Sequence, residues 1–260
     1  MILDDIVFYR KQQLEREMSK APLSEIKKAA EKISAPCKGF GNALKADGLS
    51  VIAEVKKASP SKGLISKNFD PVGTAVQYEA AGAAAVSCLT EEHYFMGSSD
   101  YFRAIREKIN IPMIRKDFII DPYQIYEART MGADAVLLIA ALLDTHTISE
   151  YRKTAESLGM DVLAESHNEY ELESVLNAGC TVIGVNNRDL KTFNVSLDTM
   201  KRLSAYMPKE CVRVSESGIK DNADMKTIRS YGADAVLIGE TLMRSGSIAD
   251  SMKELLEGVD

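Results

Sequence analysis

The sequence predicts a (β/α)8 barrel (TIM barrel), an α/β fold of eight parallel strands that alternate with helices, with a helical extension before the first strand. The first observation is an internal repeat: four apolar segments resemble one another, and each contains a glycine about fifty residues after the previous one. The second is that four other apolar runs lie between these segments and end in charged residues. Apolar strands alternating with helices indicate a parallel sheet covered on its outside.

Each barrel element can be placed in turn. The repeated segments begin at Ala81, Met131, Ala178 and Tyr231, and the runs between them begin at Ser50, Ile111, Met160 and Cys211. The connecting stretches are helical in pattern, and two of them carry the same start signal, an aspartate followed by proline: Asp70 with Pro71, and Asp121 with Pro122. The repeat glycines are expected to end helices in the left-handed conformation; they are Gly82, Gly132, Gly179 and Gly232.

Residues 1–49 form the predicted extension and residues 50–260 the barrel, so we expect a single domain over 1–260. The stretch "LDDIVFYRKQQLEREM" places its apolar residues near one helical face; they are Leu3, Ile6, Val7, Leu14 and Met18. We expect this helix to lie on the barrel, and the connection around "APCKGFGNAL" to fold over one barrel end. A simple cap and a direct contact with a ligand both remain open for the extension.

Composition argues against several classes of partner. The 260 residues are 45% hydrophobic and 27% charged, with a net charge of −6. Nucleic acids and acidic membranes require a basic surface, which this charge does not favour. No apolar run is long enough to span a bilayer, and the N-terminus lacks the apolar segment of a secretory signal, so we expect a cytoplasmic protein.

The cysteines and histidines do not form a metal-ligand pattern, and we predict no metal site. The three histidines are not paired at ligand spacing. The four cysteines are widely scattered: Cys37, Cys88, Cys180 and Cys211. The last three lie in apolar contexts, where a reduced thiol packs as a small hydrophobic group.

Charged residues at the strand ends are a stronger functional signal. In barrels of this class the active site lies at the carboxyl ends of the strands, and side chains alternate between the interior and the helix layer. Ile52, Glu54 and Lys56 share one parity, so the two charged residues are predicted to project into the barrel mouth. The same reasoning adds further polar residues at other strand ends: Lys116, Glu165, Asn186 and Glu216. A structural ion-pair network and a site for proton transfer both remain open for this cluster.

The loops after the last two strands favour phosphate binding. In this fold such loops often bind phosphate through backbone N–H groups and a short helix N-terminus. They read "SESGIK" and "IGETLM", with Ser217, Gly218, Gly239 and Glu240 at the turns. We expect the Glu240 amide to donate to phosphate while its carboxylate points to solvent.

The strand-end motifs also carry a family resemblance. They include "AEVKKASPSKG", "IRKDFIIDPYQI", "VLAESHNEYEL", "IGVNNRDLKTF" and "VSESGI". Together they resemble the indole-3-glycerol-phosphate synthase family of tryptophan biosynthesis, over essentially the whole chain. The resemblance implies a decarboxylating lyase with no cofactor. Its substrate would be 1-(2-carboxyphenylamino)-1-deoxyribulose 5-phosphate, cyclised to indole-3-glycerol phosphate with loss of carbon dioxide and water.

The resemblance implies roles for the polar cluster. Lys116 would be the general acid that protonates the ribulosyl carbonyl oxygen, and a lysine with a depressed pKa is suited to that task. Glu165 would transfer a proton during dehydration, most simply as general base. Lys56 would hold the substrate carboxylate and is also a candidate for the acid that expels hydroxide, so Lys56 and Glu165 both remain open for the dehydration proton. Glu54 and Asn186 would orient the lysines and the substrate hydroxyls.

The remaining candidates would bind substrate. An apolar slot for the anthranilate ring is expected from Phe95, Phe118, Leu137 and Leu190, although each is equally suited to a core role. Further candidates for substrate or phosphate are Ser59, Ser61, Arg188 and Glu216. The chain departs from some family members at Ala58, where they carry a basic residue, and Lys57 or Lys62 could substitute for it.

Two other functions remain open on the sequence alone. A related phosphate-binding barrel, such as phosphoribosylanthranilate isomerase, would use a cysteine and an aspartate as acid and base, with no lysine pair on the first strand. A non-catalytic scaffold would be expected to have lost some members of the polar cluster. For the oligomeric state, we expect a monomer or a weak homodimer.

Overall fold

The computed structural model describes residues 2–259, which form helices and strands in the predicted alternation. The helices are α1 (Ile2–Lys20), α2 (Leu23–Glu31), α3 (Phe40–Ala43), α4 (Pro71–Ala80), α5 (Ser99–Arg106), α6 (Tyr123–Thr130), α7 (Thr145–Ser157), α8 (Glu169–Asn177), α9 (Asp198–Ser204), α10 (Asn222–Ser230), α11 (Glu240–Met243) and α12 (Ile248–Leu256). The strands are β1 (Ser50–Val55), β2 (Ala58–Ser59), β3 (Gly63–Leu64), β4 (Ala85–Leu89), β5 (Met113–Lys116), β6 (Ala135–Ile139), β7 (Asp161–Ser166), β8 (Val182–Asn186), β9 (Val212–Glu216) and β10 (Ala235–Ile238).

Of the described strands, eight close into a parallel barrel, which confirms the predicted fold class. Around the barrel the order is β1, β4, β5, β6, β7, β8, β9 and β10, and β10 pairs with β1 to complete the ring. This closing pair aligns Ser50 with Ala235, while on its other side β1 aligns Ile52 with Ala85. The short strands β2 and β3 form a separate antiparallel hairpin within the loop that follows β1.

Side-chain alternation divides the core into two layers. Inside the barrel the predicted interior residues pack together; they include Ile52, Ile114, Leu163 and Val214. The residues of opposite parity pack against the surrounding helices. Each fully buried aliphatic side chain contributes roughly 1.5–3 kcal/mol by leaving water, so both layers stabilise the closed sheet.

The predicted helix boundaries follow from local signals. Asp70 caps α4 by accepting from the backbone N–H of Gly73 (2.9 Å), and Asp121 accepts from that of Tyr123 (2.8 Å) at the start of α6. The repeat glycines all have φ between +79° and +87°, a region that L side chains rarely adopt; they are Gly82, Gly132, Gly179 and Gly232. They end the helices before β4, β6, β8 and β10, as predicted.

The N-terminal extension contacts both ends of the barrel. α1 lies at the carboxyl end and contributes three residues to the cavity there: Ile2, Leu3 and Ile6. α3 closes the opposite end, where Phe40 and Leu44 are fully buried among the interior residues of the barrel. The backbone N–H of Gly41 donates to the carboxylate of Asp161 at the start of β7 (2.8 Å). The extension is thus both a cap and part of the cavity wall.

The buried face of α1 is more polar than its sequence predicted. Of the predicted apolar face, Ile6 and Leu14 are buried, and the other members are partly exposed. Arg10 and Gln13 are buried beside them. Arg10 is paired through Nε with the Oδ1 atom of Asp117 (2.9 Å), which explains how a charge is tolerated there.

Two further sequence expectations can be examined in the described residues. Among residues 2–259, no helix combines the length and the apolar character needed to cross a membrane. The cysteines are free, and Cys88, Cys180 and Cys211 are buried, as predicted for reduced core cysteines. Burial raises the pKa of the Cys180 thiol to about 12, so it is not a reactive thiolate at neutral pH.

Candidate active site

A cavity of about 720 Å³ opens at the carboxyl ends of the barrel strands, and we call it the mouth cavity. The candidate site residues named from the sequence line it, with the exception of Lys57. The polar ones are Glu54, Lys56, Ser59, Ser61, Lys116, Glu165, Asn186, Arg188, Glu216, Ser217 and Glu240, and the others are Phe95, Phe118, Leu137, Leu190, Gly218 and Gly239. The structure therefore brings together residues from every part of the barrel, as expected when strand ends meet at one edge.

Lys116 lies at the centre of the polar cluster. Its ammonium group donates to Glu216 of β9 and lies 3.2 Å from the Oε2 atom of Glu165 of β7. Both carboxylates are almost completely buried, and the lysine side chain is only 12% exposed. Buried charges persist only when they are paired, so these three groups must titrate as a set.

The expected depressed pKa of Lys116 is wrong for this site. Burial lowers the pKa of Lys116, but the surrounding carboxylates, chiefly Glu216 and Glu165 with a further contribution from Glu54, raise it above its ordinary value. The lysine is therefore a charged ammonium at neutral pH. Sequence position alone showed that the residue reaches the mouth, but not how many anions surround it.

The two carboxylates on Lys116 differ in their other partners. Burial raises the pKa of Glu165, but Lys116, His167 and Asn186 outweigh it and hold that pKa below its ordinary value. Asn186 donates to Glu165 through Nδ2 (3.2 Å). Burial, together with repulsion from the nearby carboxylates of Glu165 and Glu54, raises the pKa of Glu216 to about 7. Attraction from Lys116 opposes this rise but does not cancel it. Its Oε1 atom has no hydrogen-bond partner among the described residues.

A glycine in β8 makes room for this carboxyl group. A Cβ atom on Gly184 would collide with Glu216 Oε1 and lie 3.3 Å from the Leu163 side chain. The strand alternation would direct that Cβ into the barrel. Gly184 therefore allows Glu216 to extend under the cavity floor.

Glu54 and Lys56 form a second charged pair at the end of β1. The Lys56 ammonium donates to Glu54 Oε2, and the Glu54 side chain is 4% exposed while that of Lys56 is 18% exposed. Gly239 packs against both, because a Cβ atom there would lie 3.1 Å from Lys56 Nζ and closer still to Glu54. The parity prediction from the first strand thus describes the observed positions of these side chains.

One wall of the mouth cavity is apolar. The rings of Phe95 and Phe118 have centroids 5.8 Å apart and are tilted by 40°. Leu137 and Leu190 line the same cavity. Sequence reasoning missed several further apolar lining residues: Ile2, Leu3, Ile6, Leu89, Phe193, Val195 and Leu237. The apolar face of α1 was the available signal for Leu3 and Ile6.

The loops that favour phosphate binding lie at the other side of the cavity. Ser217 and Gly218 both have positive φ, +66° and +94°, so the turn after β9 is tightly formed. The Glu240 carboxylate does not simply point to solvent as expected. Its Oε1 atom lies 3.5 Å from Lys62 Nζ and accepts from Arg244 Nε (3.1 Å). Lys62 and Arg244 line the cavity, and Lys57 does not.

A buried ion network supports the floor next to Lys116. Asp117 accepts from Arg10 (2.9 Å) and from the Thr90 hydroxyl (2.8 Å), and it lies 2.9 Å from Arg115. Burial raises the pKa of Asp117, but Arg10 and Arg115 outweigh it and hold the pKa below its ordinary value. The sequence analysis did not single out this network, since its members are scattered along the chain.

Comparisons with known proteins bear on what this site does. The family model for indole-3-glycerol phosphate synthase matches residues 3–255. The chain belongs to the indole-3-glycerol phosphate synthase family. The family predicted from the strand-end motifs is therefore confirmed, and the related isomerase is not supported.

Individual relatives agree with this family assignment. The indole-3-glycerol phosphate synthase of Alkaliphilus metalliredigens is 47% identical over 260 residues, covering 100% of this chain and 99% of the relative. That of Ruminiclostridium cellulolyticum is 49% identical over 257 residues, covering 98% of both. A solved thiamine phosphate pyrophosphorylase from Pyrococcus furiosus is 13% identical with a TM-score of 0.62, covering 80% of this chain and 94% of its own. That likeness shows the barrel fold alone.

Proposed function

We propose that the chain catalyses the reaction for which its family is named. It would cyclise 1-(2-carboxyphenylamino)-1-deoxyribulose 5-phosphate to indole-3-glycerol phosphate, with loss of carbon dioxide and water, in tryptophan biosynthesis. The observation that carries the proposal is a buried ammonium held between two carboxylates, next to an aromatic wall and opposite loops suited to phosphate. Proton transfers are sufficient for this chemistry, so the proposal requires no cofactor.

Ring closure assigns Lys116 the role of general acid. As the ring carbon attacks the ribulosyl ketone, the ketone oxygen becomes an alkoxide that is far more basic than an amine. The ammonium form of Lys116, which its raised pKa maintains at neutral pH, can then donate its proton to that oxygen. Loss of carbon dioxide from the same ring carbon restores aromaticity without a further proton.

Dehydration assigns complementary roles to Lys56 and Glu165. Lys56 would give a proton to the departing hydroxyl, and Glu165 would accept the proton lost from the adjacent carbon. Over the whole reaction Lys116 and Lys56 would each donate one proton and Glu165 would accept one, so one proton is consumed. This matches the overall reaction, because a substrate with an ionised carboxylate takes up one proton when it loses carbon dioxide and water. Glu165 and Lys116 are 3.2 Å apart, so one transfer between them would reset both groups after turnover.

Binding would be divided between the two sides of the cavity. Phe95, Phe118, Leu137 and Leu190 would hold the anthranilate ring, with Lys56 or Arg188 toward its carboxylate. The phosphate would accept from backbone N–H groups at Ser217, Gly218, Gly239 and Glu240. Ser59 and Ser61 would cover the substrate, and Lys62 would supply the positive charge that Ala58 lacks.

The proposal is tested by incubating the purified protein with the carboxyphenylamino-deoxyribulose phosphate and following indole fluorescence and carbon dioxide release. Wild-type protein is expected to form the indole product. Lys116→Ala is expected to reduce kcat by about 10²- to 10⁴-fold, the usual contribution of a general acid. The matched control is Lys108→Ala, an exposed lysine outside the cavity, which should retain full activity. Absence of product from wild-type protein would contradict the proposal.

We further propose that the chain acts in the cytoplasm as a monomer or a weak homodimer, with no nucleic-acid partner. The net charge of −6 supports a small-molecule substrate over a nucleic acid, because phosphate backbones require a basic surface. Gel filtration over a range of concentrations would test the oligomeric state.

A further inference from the structure

His167 is a largely buried histidine at the edge of the active site, and the proposed function assigns it no role. It follows β7 directly, two residues after Glu165. Its Nε2 atom lies 3.3 Å from Glu165 Oε1, and its Nδ1 atom lies 2.8 Å from Glu171 Oε2. The imidazole, whose side chain is 10% exposed, is therefore placed between two carboxylates.

The first turn of α8 fixes the imidazole in this position. Glu171 accepts from the backbone N–H of His167 (2.8 Å) as well as contacting its ring, and it also accepts from Asn168 Nδ2 (2.7 Å). Asn168 in turn caps α8 by accepting from the backbone N–H of Glu171 (3.0 Å). Ring orientation is thus set by the cap of a helix and does not depend on Glu165.

The two carboxylates determine the charge of the ring. A neutral imidazole has one nitrogen lone pair, which would face either Glu165 or Glu171, and that arrangement is repulsive. Burial lowers the pKa of His167, but hydrogen bonding and attraction from Glu165 and Glu171 raise it to about 10. The imidazolium form is therefore stable at neutral pH. Of its two carboxylate contacts within residues 2–259, the one from Nε2 to Glu165 (3.3 Å) is the longer and the less well aligned.

We infer that His167 is a positioning residue, an imidazolium that keeps Glu165 in its carboxylate form so that Glu165 can accept a proton. The inference rests on the proposed role of Glu165 as general base. The charged groups around Glu165 are Lys116 from β5 and Glu216 from β9, with the neutral amide of Asn186 from β8. Lys116 is shared between both carboxylates, and His167 contacts only Glu165 of the two. This asymmetry directs any proton held by the carboxylate pair to Glu216.

Variants at His167 separate charge from structure. His167→Gln keeps a polar N–H group but removes the charge, so the pKa of Glu165 should rise. Because the base must be ionised, the acid limb of the kcat–pH profile is expected to move up by about one pH unit. At a pH on that limb kcat should therefore fall by up to about tenfold, while kcat near neutrality should change little, since Glu165 is still ionised there. KM should change by less than about twofold, since His167 does not line the mouth cavity.

Two further variants complete the test. Glu171→Gln removes the outer anion and lowers the pKa of His167, so it is expected to move the acid limb in the same direction by a smaller amount. His146→Asn is the matched control: His146 lies 3.7 Å from Glu150 on α7, its side chain is 80% exposed, and its loss should leave the profile unchanged. Glu171→Gln also tests the inference if His167→Gln fails to fold.

A readout without substrate keeps this test separate from the proposed function. Imidazole nitrogen NMR of the free wild-type protein should show His167 doubly protonated at neutral pH. A neutral His167, or a kcat–pH profile unchanged in His167→Gln, would overturn the inference while leaving the lyase activity intact. Loss of indole formation in wild-type protein would instead contradict the proposed function, whatever the charge of His167.

Discussion

Glu165 and Glu216 contact the same ammonium group, yet their pKa values move in opposite directions. Glu165 also contacts Asn186 and His167, which stabilise its negative charge. Glu216 has only Lys116, and its second oxygen is unpartnered among the described residues. Unequal surroundings thus turn two identical carboxyl groups into an ionised base and an acid that titrates near neutrality, a common division of roles in active sites.

Glu216→Gln is expected to change how stability depends on pH. The pKa of Glu216 is raised from 4.5 to about 7 on folding, so the folded chain holds this proton more tightly than the unfolded chain. Tighter proton binding by Glu216 therefore contributes fully to the free energy of unfolding below about pH 4.5. This contribution, about 3 kcal/mol, is lost as the pH rises through 7. Urea unfolding at about pH 5 and about pH 8 measures this difference between wild type and variant. An equal difference at both pH values would contradict the assignment.

At the scale of elements, the β2–β3 hairpin places one lysine at the phosphate side of the mouth cavity. Lys62 lies just before β3 and pairs with Glu240, the first residue of α11. Both side chains are partly exposed, so the ion pair itself is weak. A phosphate dianion would attract this ammonium more strongly than a partly solvated carboxylate does.

Lys62→Ala is therefore expected to raise KM about 5- to 10-fold, equivalent to about 1–1.4 kcal/mol, with a smaller change in kcat. The effect should weaken at high ionic strength, because salt screens an exposed charge. Lys57→Ala is the matched control, since Lys57 lies over the Phe69 ring (5.9 Å) and outside the cavity. Steady-state kinetics on wild type and the two variants measure these changes in KM. An equal KM for Lys62→Ala and wild type would exclude a contact between Lys62 and the substrate phosphate.

Helix α1 is expected to stabilise the barrel mainly through Arg10. Arg10→Met leaves Asp117 with one described cation, Arg115, instead of two, and removal of one partner from a buried ion network costs about 3–5 kcal/mol. Arg16→Met on the same helix removes a pair with Glu92 in which both side chains are more than half exposed, and it should cost less than about 1 kcal/mol. Denaturant unfolding of both variants measures the contrast, and similar losses would argue against a structural role for the buried pair.

At the scale of the whole molecule, two regular patterns in the sequence explain why the fold and the members of the site could be predicted. They are the alternation of side chains along each strand and the recurrence of glycines at the helix ends. Strand alternation placed Glu54 and Lys116 at the mouth because the period of two persists to the end of each strand. The repeat glycines located the helix ends because their conformation is local. The members of the polar cluster could therefore be named without knowing any contact between them.

Contacts between distant residues account for what could not be predicted. Arg10 and Asp117 are 107 residues apart, and Lys116 and Glu216 are 100 apart. No local pattern specifies which charges will meet across such separations, so the raised pKa of Lys116 could not be predicted from the sequence. His167 was missed for a related reason: a lone histidine after a strand carries no signal until its two carboxylate neighbours are known.

The position of α3 has a consequence for how the chain is made. Gly41 finds its partners on β7 and β8, at Asp161 and Val182, and the Gly41–Asp161 contact spans 120 residues. While the polypeptide emerges from the ribosome, α3 lacks these partners until more than half of the barrel has been synthesised. Such long-range closure slows folding and leaves the nascent segment open to association with chaperones or other chains. The helix that closes this end of the barrel is thus synthesised well before the strands that hold it.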